Sequence, residues 1–139
     1  MTEESTTPDG VNLTHRAFAH LNSRDLDAVM GLLSPACVCD MSRWELGVYS
    51  GVEAIREFAD NWFGTLYEFA LVADQIEDFG NGVVYVEQVG HRERAPGGFI
   101  ELPSAAVALW ESGMLMRITV YPDIDEARAA AERLAEERG

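Results

Sequence analysis

The chain has 139 residues, 47% hydrophobic and 24% charged, with a formal net charge of −14. That length predicts one domain around one core, and that charge argues against binding nucleic-acid phosphates or anionic membrane surfaces. All ten basic residues are Arg, which excludes a lysine Schiff base, a covalently held pyridoxal phosphate and a P-loop lysine.

In chain order, residues 1–9 (MTEESTTPD) predict a disordered leader with no apolar signal-peptide core. Residues 10–139 then form the single domain. From Val11 to Asn22, apolar Leu13, Ala17, Phe18 and Leu21 share one helical face. From Asp25 to Leu33, Leu26, Val29, Met30 and Leu33 do the same, with Asp25 as cap and Pro35 as stop. ACVCDM, about 36–41, reads as a short strand. Ser42 to Gly51, with Trp44, Gly47 and Tyr49, reads as a loop. Ser50 or Gly51 caps a third helix, whose Ile55, Phe58, Ala59, Trp62 and Phe63 give the clearest amphipathic spacing in the chain.

Four strands follow, at about 66–79, 83–94, 99–111 and 114–121, separated by Gly80-Asn81-Gly82, Pro96-Gly97-Gly98 and Glu111-Ser112-Gly113. Tight turns between long strands predict an antiparallel meander. Asp123 caps a final Ala-, Glu- and Arg-rich helix, read as a solvated amphipathic tail. Helices first and antiparallel strands second give an α+β fold. Cys37 and Cys39, two apart on one strand, are too close for an ordinary disulfide and have no zinc-ligand neighbours. They are expected to be reduced core residues, which suits a cytoplasmic protein. No apolar run approaches the ~20 residues that span a membrane.

RDLDAVMGLLSPACVCD, then a loop, then YSGVEAIREF and the closing YPDIDEA resemble the NTF2-like superfamily, in its SnoaL-like and ketosteroid-isomerase branches. The resemblance runs from about Val11 to Ala127. It implies a cone: a curved antiparallel sheet of four long strands and a short one, wrapped on the N-terminal helices around a small-molecule pocket. It further implies a homodimer, because members commonly pair through the open apolar sheet face, which needs cover. In the isomerases the proton-shuttling base is the acid ending the first strand, which matches Asp40. Their oxyanion-hole Tyr and protonated acid fall on Ala17 and about Ala106 here, so steroid isomerisation is not expected. The acid that epoxide hydrolases of this fold carry on the last strand falls at about Val120.

Period two in VVYVEQVGHRER puts Tyr85, Glu87, Val89 and His91 on one face, and Val84, Val86, Gln88, Gly90 and Arg92 on the other. Period alone does not choose between them. The resemblance places the first set inside the cone, where Glu87 and His91 would meet Asp40. The walls would be Val38, Val89, Ala106, Ala108, Trp110, Ile118 and Val120, with Phe18, Phe58 and Trp62 from the helices and Trp44 and Tyr49 at the mouth. Carboxylates and a His in a dry pocket suit proton transfer without cofactor or metal. The expected chemistry is that of a lyase, isomerase or polyketide-cyclase-like enzyme acting on an apolar molecule.

Each candidate also has a structural reading. Asp40 could bond the following loop, Glu87 could face solvent, and His91 could lie exposed beside Arg92 and Arg94. Arg117 alternates with Ile118, so it is expected to face away from the pocket and pair with an acid. His15 and His20, five apart on a helix, point in different directions and make no metal pair. The alternative functions are a non-catalytic small-molecule-binding or assembly domain, or an epoxide-opening hydrolase. A filled, narrow pocket favours binding or assembly, and an open one faced by both Asp40 and His91 favours catalysis.

Overall fold

The computed structural model describes residues 9–65, 69–94 and 98–139, with the side chains of 62–69 and 91–101 outside that description. The leader expected at the N-terminus falls outside it up to residue 8.

Asp9 caps α1 (Gly10–Asn22) by accepting from the Val11 N–H at 3.0 Å, and Asp25 caps α2 (Leu26–Met30) through Ala28. These short side-chain acceptors satisfy N–H groups that a helix start leaves without partners. The second helix is shorter than its apolar periodicity suggests. Gly31 follows it, and the Leu32 carbonyl is captured by the Leu115 N–H at 2.8 Å. The first strand, β1 (Leu33–Asp40), therefore begins before Pro35. Its register against β6 shifts between Leu33 and Val38, which leaves Pro35 where no ladder donor is required.

A 3-10 turn at Ser42–Trp44 leads to β2 (Val48–Ser50), a short strand inside the stretch expected to be loop. After α3 (Val52–Thr65) come β3 (Phe69–Gly80), β4 (Val83–Arg94), β5 (Gly98–Glu111) and β6 (Met114–Tyr121), and α4 (Ile124–Arg138) closes the chain. The meander is as expected. Asn81 and Gly82 both take positive φ, 58° and 86°, as a tight two-residue hairpin turn requires. A Cβ on Gly82 would collide with the Trp110 carbonyl.

The sheet is curved and unclosed, in the order β2-β1-β6-β5-β4-β3. Its pairs are antiparallel except β1 with β6, a parallel seam that the sequence reading did not contain. Both faces carry a packed layer. On the inner face, Cys37, Cys39, Val84, Val86, Ala106, Ala108, Trp110 and Leu115 pack with Leu13 of α1 and Ile55 of α3. On the outer face, Val83, Tyr85, Ala105, Val107 and Tyr121 pack against Ala127, Ala131 and Ala135 of α4. The last helix is thus a second layer rather than a solvated tail: Ala127 and Ala131 are fully buried. Small side chains let its backbone lie close to the sheet.

Candidate functional site

Between the inner face and the three N-terminal helices lies a cavity of about 250 Å³. Seven of the residues expected to line it do so: Phe18 on α1, Trp44 on the 3-10 turn, Phe58 on α3, Ala108 and Trp110 on β5, and Ile118 and Val120 on β6. Ala106 shares their face but is buried in the core beneath them. Tyr49 stands behind the wall. It stacks on Phe58 at 4.6 Å between ring centroids, and its hydroxyl donates to the Leu46 carbonyl. The Trp62 and His91 side chains lie outside the described residues.

The facing expected for β4 is inverted. Val86, Gln88 and Gly90 line the cavity, and Val84 lies in the same inner core. Tyr85 and Glu87 lie on the outer face, and Val89, two residues further along the strand, shares it. Fully buried Tyr85 packs with the α4 layer, and its hydroxyl donates to Glu87 Oε2 at 3.0 Å. Arg128 of α4 reaches Glu77 at 2.6 Å and Glu87 at 3.5 Å, with its guanidinium 4.6 Å above the Tyr85 ring. Burial, then the hydrogen bond and charge of Glu87, push the Tyr85 phenol up to about 12. Glu87 therefore serves the seam between sheet and helix and lies away from the cavity.

Asp40 is likewise turned away. On β1 the inner residues are Cys37 and Cys39, and Val38 and Asp40 alternate with them. Asp40 is only 6% exposed, yet it does not line the cavity. Its Oδ1 accepts from the Ser42 N–H at 2.9 Å and the Ser42 hydroxyl at 2.6 Å. Its Oδ2 meets Arg117 at 2.9 Å and Arg43 at 3.6 Å. Burial alone would raise this carboxyl. The Ser42 hydrogen bonds and the two guanidinium charges outweigh it and hold the group below its usual value. Such a carboxylate is a poor proton acceptor and a good clamp for the turn that carries Trp44. Arg117 pairs with an acid, as expected, and that acid is Asp40.

The cavity wall is almost wholly apolar, and among the described residues it carries no Asp, Glu, His or Arg. Its polar groups are few. Trp110 donates its indole N–H to Thr14 Oγ1 at 3.1 Å, and Thr14 donates onward to the Gly10 carbonyl at 2.7 Å. The Trp44 indole N–H is closed off from solvent and finds no acceptor among the described residues. Gln88 and Ser104 face each other in register on β4 and β5, and Gln88 Nε2 donates to Ser104 Oγ at 3.1 Å.

The sequence reading missed this pair, although a signal existed. Ser104 has the same parity as Ala106, Ala108 and Trp110, which were placed inside. A β5 facing inward through even residues fixes which β4 residues oppose it. Cys39 also lines the wall. Both cysteines are buried and unpaired, and burial pushes their thiols up to about 11 at Cys37 and about 12 at Cys39. Thiols held that high stay protonated and inert at neutral pH.

Among the described residues no helix is long and apolar enough to cross a membrane. No curated protein is detectably similar in sequence. Solved structures share the fold. A protein of Shewanella putrefaciens CN-32 proposed to be a SnoaL-like polyketide cyclase aligns with a TM-score of 0.69 and 11% identity, over 91% of this chain and 98% of its own. TerC, co-crystallized with polyporic acid, aligns at 0.72 and 15%, over 88% and 98%. Bal32a, from a soil-derived mobile gene cassette, aligns at 0.72 and 18%, over 81% and 87%. At such identities the likeness is one of fold. The sequence itself goes further, since residues 14–118 match the SnoaL-like domain, and the chain belongs to that family.

Proposed function

We propose that this protein binds a small apolar molecule inside the cone, between the inner sheet face and α1–α3. The observation that carries this reading is the open cavity of about 250 Å³, walled by Phe18, Trp44, Phe58 and Trp110. Aromatic walls with a few placed polar groups are the usual make-up of a small-molecule site. An acidic protein that leaves such a space empty of its own side chains forgoes packing energy there, and a ligand restores it. TerC, of the same fold, was crystallized with polyporic acid, and an aromatic guest suits this wall.

Binding is favoured here over the acid–base lyase, isomerase or cyclase. In that scheme Asp40 and Glu87 carry protons, but both carboxylates are held by arginines on the far face of the sheet. An epoxide-opening hydrolase would need carboxylates in the wall, and the described residues supply none. The test uses the neutral fluorescent probe N-phenyl-1-naphthylamine. Wild-type protein should bind it saturably with enhanced emission. Ala108→Phe, which puts a ring into the cavity from β5, should weaken binding at least tenfold. No saturable binding, or binding indifferent to Ala108→Phe, would remove the reading.

A further inference from the structure

The Gln88–Ser104 pair is the feature of the cavity that packing does not explain. Gln88 is 6% exposed and Ser104 5%, and both line a wall that is otherwise almost wholly apolar. Burying an amide and a hydroxyl costs free energy unless both are bonded. Here each bonds the other once, through Gln88 Nε2 and Ser104 Oγ at 3.1 Å. Neither has a second partner among the described residues. The Ser104 O–H remains able to donate, and the Gln88 carbonyl remains able to accept. Turning the amide over exchanges the roles but leaves the same balance. Ser104 then donates to Gln88, the amide N–H groups are free to donate, and the Ser104 oxygen is free to accept. Either way the pair offers at least one free donor beside one free acceptor at one point of the wall, the second amide N–H adding a further donor.

Resting on the ligand-binding reading above, we propose that the Gln88–Ser104 pair is the anchor for a hydroxyl group on a neutral ring, a phenol or an enol. A hydroxyl is the simplest group that donates and accepts at one oxygen, so it bonds both partners at once. A ketone or ether oxygen could only accept, and would leave the free acceptor of the pair unmet. A carboxylate or phosphate fits worse. No described Arg or His lines the cavity to balance a charge, and an unpaired ion in a dry pocket is heavily penalised. The ligand class is therefore a compact, uncharged, hydroxylated aromatic or enolic ring, held by the aromatic walls and oriented by its hydroxyl.

Isothermal titration with naphthalene, 2-naphthol and 2-naphthoate tests this, because the three share one ring system. Wild-type protein should bind 2-naphthol about five- to tenfold more tightly than naphthalene, and 2-naphthoate more weakly than naphthalene. Gln88→Leu with Ser104→Ala removes both partners and leaves no orphaned group. It should keep naphthalene affinity and reverse the order, because the naphthol hydroxyl is then buried without a bond. Ser104→Ala alone should shrink the naphthol advantage with naphthalene binding unchanged, and it serves as the readout if the double variant does not fold. Equal or weaker binding of 2-naphthol by wild-type protein overturns the anchor while leaving the cavity reading intact. So does an advantage that survives Ser104→Ala. Failure of wild-type protein to bind naphthalene at all overturns the cavity reading, and the anchor with it.

Discussion

Each oxygen of the Asp40 carboxylate holds two contacts, Ser42 twice on one and Arg117 and Arg43 on the other. Its pKa lies below the ordinary 3.8. The unfolded chain then takes up the proton more readily than the folded one. The stabilisation is accordingly complete above about pH 5 and disappears as the pH falls through 3.8 and below. Asp40→Asn should cost on the order of 1–3 kcal/mol at neutral pH, through weakened charge-assisted hydrogen bonds. Urea unfolding of both proteins should show that gap at about pH 7 and its progressive narrowing as the pH falls below 3.8. Affinity for N-phenyl-1-naphthylamine should be unchanged, since the carboxylate is not in the wall. A variant of wild-type stability that loses the probe would return Asp40 to the site. The sequence contained both halves of this cluster, but its partners Asp40 and Arg117 stand 77 positions apart. Alternation placed Arg117 outside correctly. For β1 it allowed either face, and the choice fell to the acid by resemblance when the two cysteines were the better core residues.

At the scale of the element, α4 holds the outer face through alanines. Ala131 is fully buried against a layer that includes Tyr85 and Val107, whereas its neighbour Glu132 is exposed. Adding methylenes to a filled layer typically costs roughly 1–3 kcal/mol. Ala131→Leu should therefore lower stability by about that much in chemical denaturation, and Glu132→Leu by less than about 0.5 kcal/mol. Equal effects would mean that α4 is not seated on the sheet. The helix itself was legible from its Asp123 cap and its composition, but its docking was not. A stripe of alanines has little hydrophobic amplitude, and nothing local says that a sheet will approach closely enough to bury it. The inverted facing of β4 has the same origin. Val84, Val86 and Gln88 on one side and Tyr85, Glu87 and Val89 on the other are balanced in polarity. A second apolar layer on the outside is what makes both faces of a strand read alike.

For the whole molecule, the expected α+β cone, its element order and most of its inner wall were readable, because long periodic segments and tight turns are local signals. The parallel seam was not, since it joins the first strand to the last with no turn to announce it. The dimer expectation rested on an apolar sheet face in need of cover. In this chain α4 supplies cover over β4, β5 and β6, so that argument no longer calls for a partner. With a net charge of −14, copies also repel one another. Light scattering at micromolar concentration should give the mass of one chain, 15.3 kDa, and a mass twice that would show that another surface does the pairing.

The seam between β1 and β6 has a consequence in time. Leu33 lies beside Leu115, and Asp40 beside Thr119. A chain emerging from synthesis carries β1 for most of its length before the strand that receives it exists. The hairpins of β3, β4 and β5 can close as they appear, because their partners are adjacent. The wall formed by β1 and β6 cannot. Bringing such distant segments together is entropically costly and slow. The cavity wall between β1 and β6 is therefore completed only once β6 has emerged, and a chain interrupted before Leu115 lacks the Leu115, Ile118 and Val120 that line it.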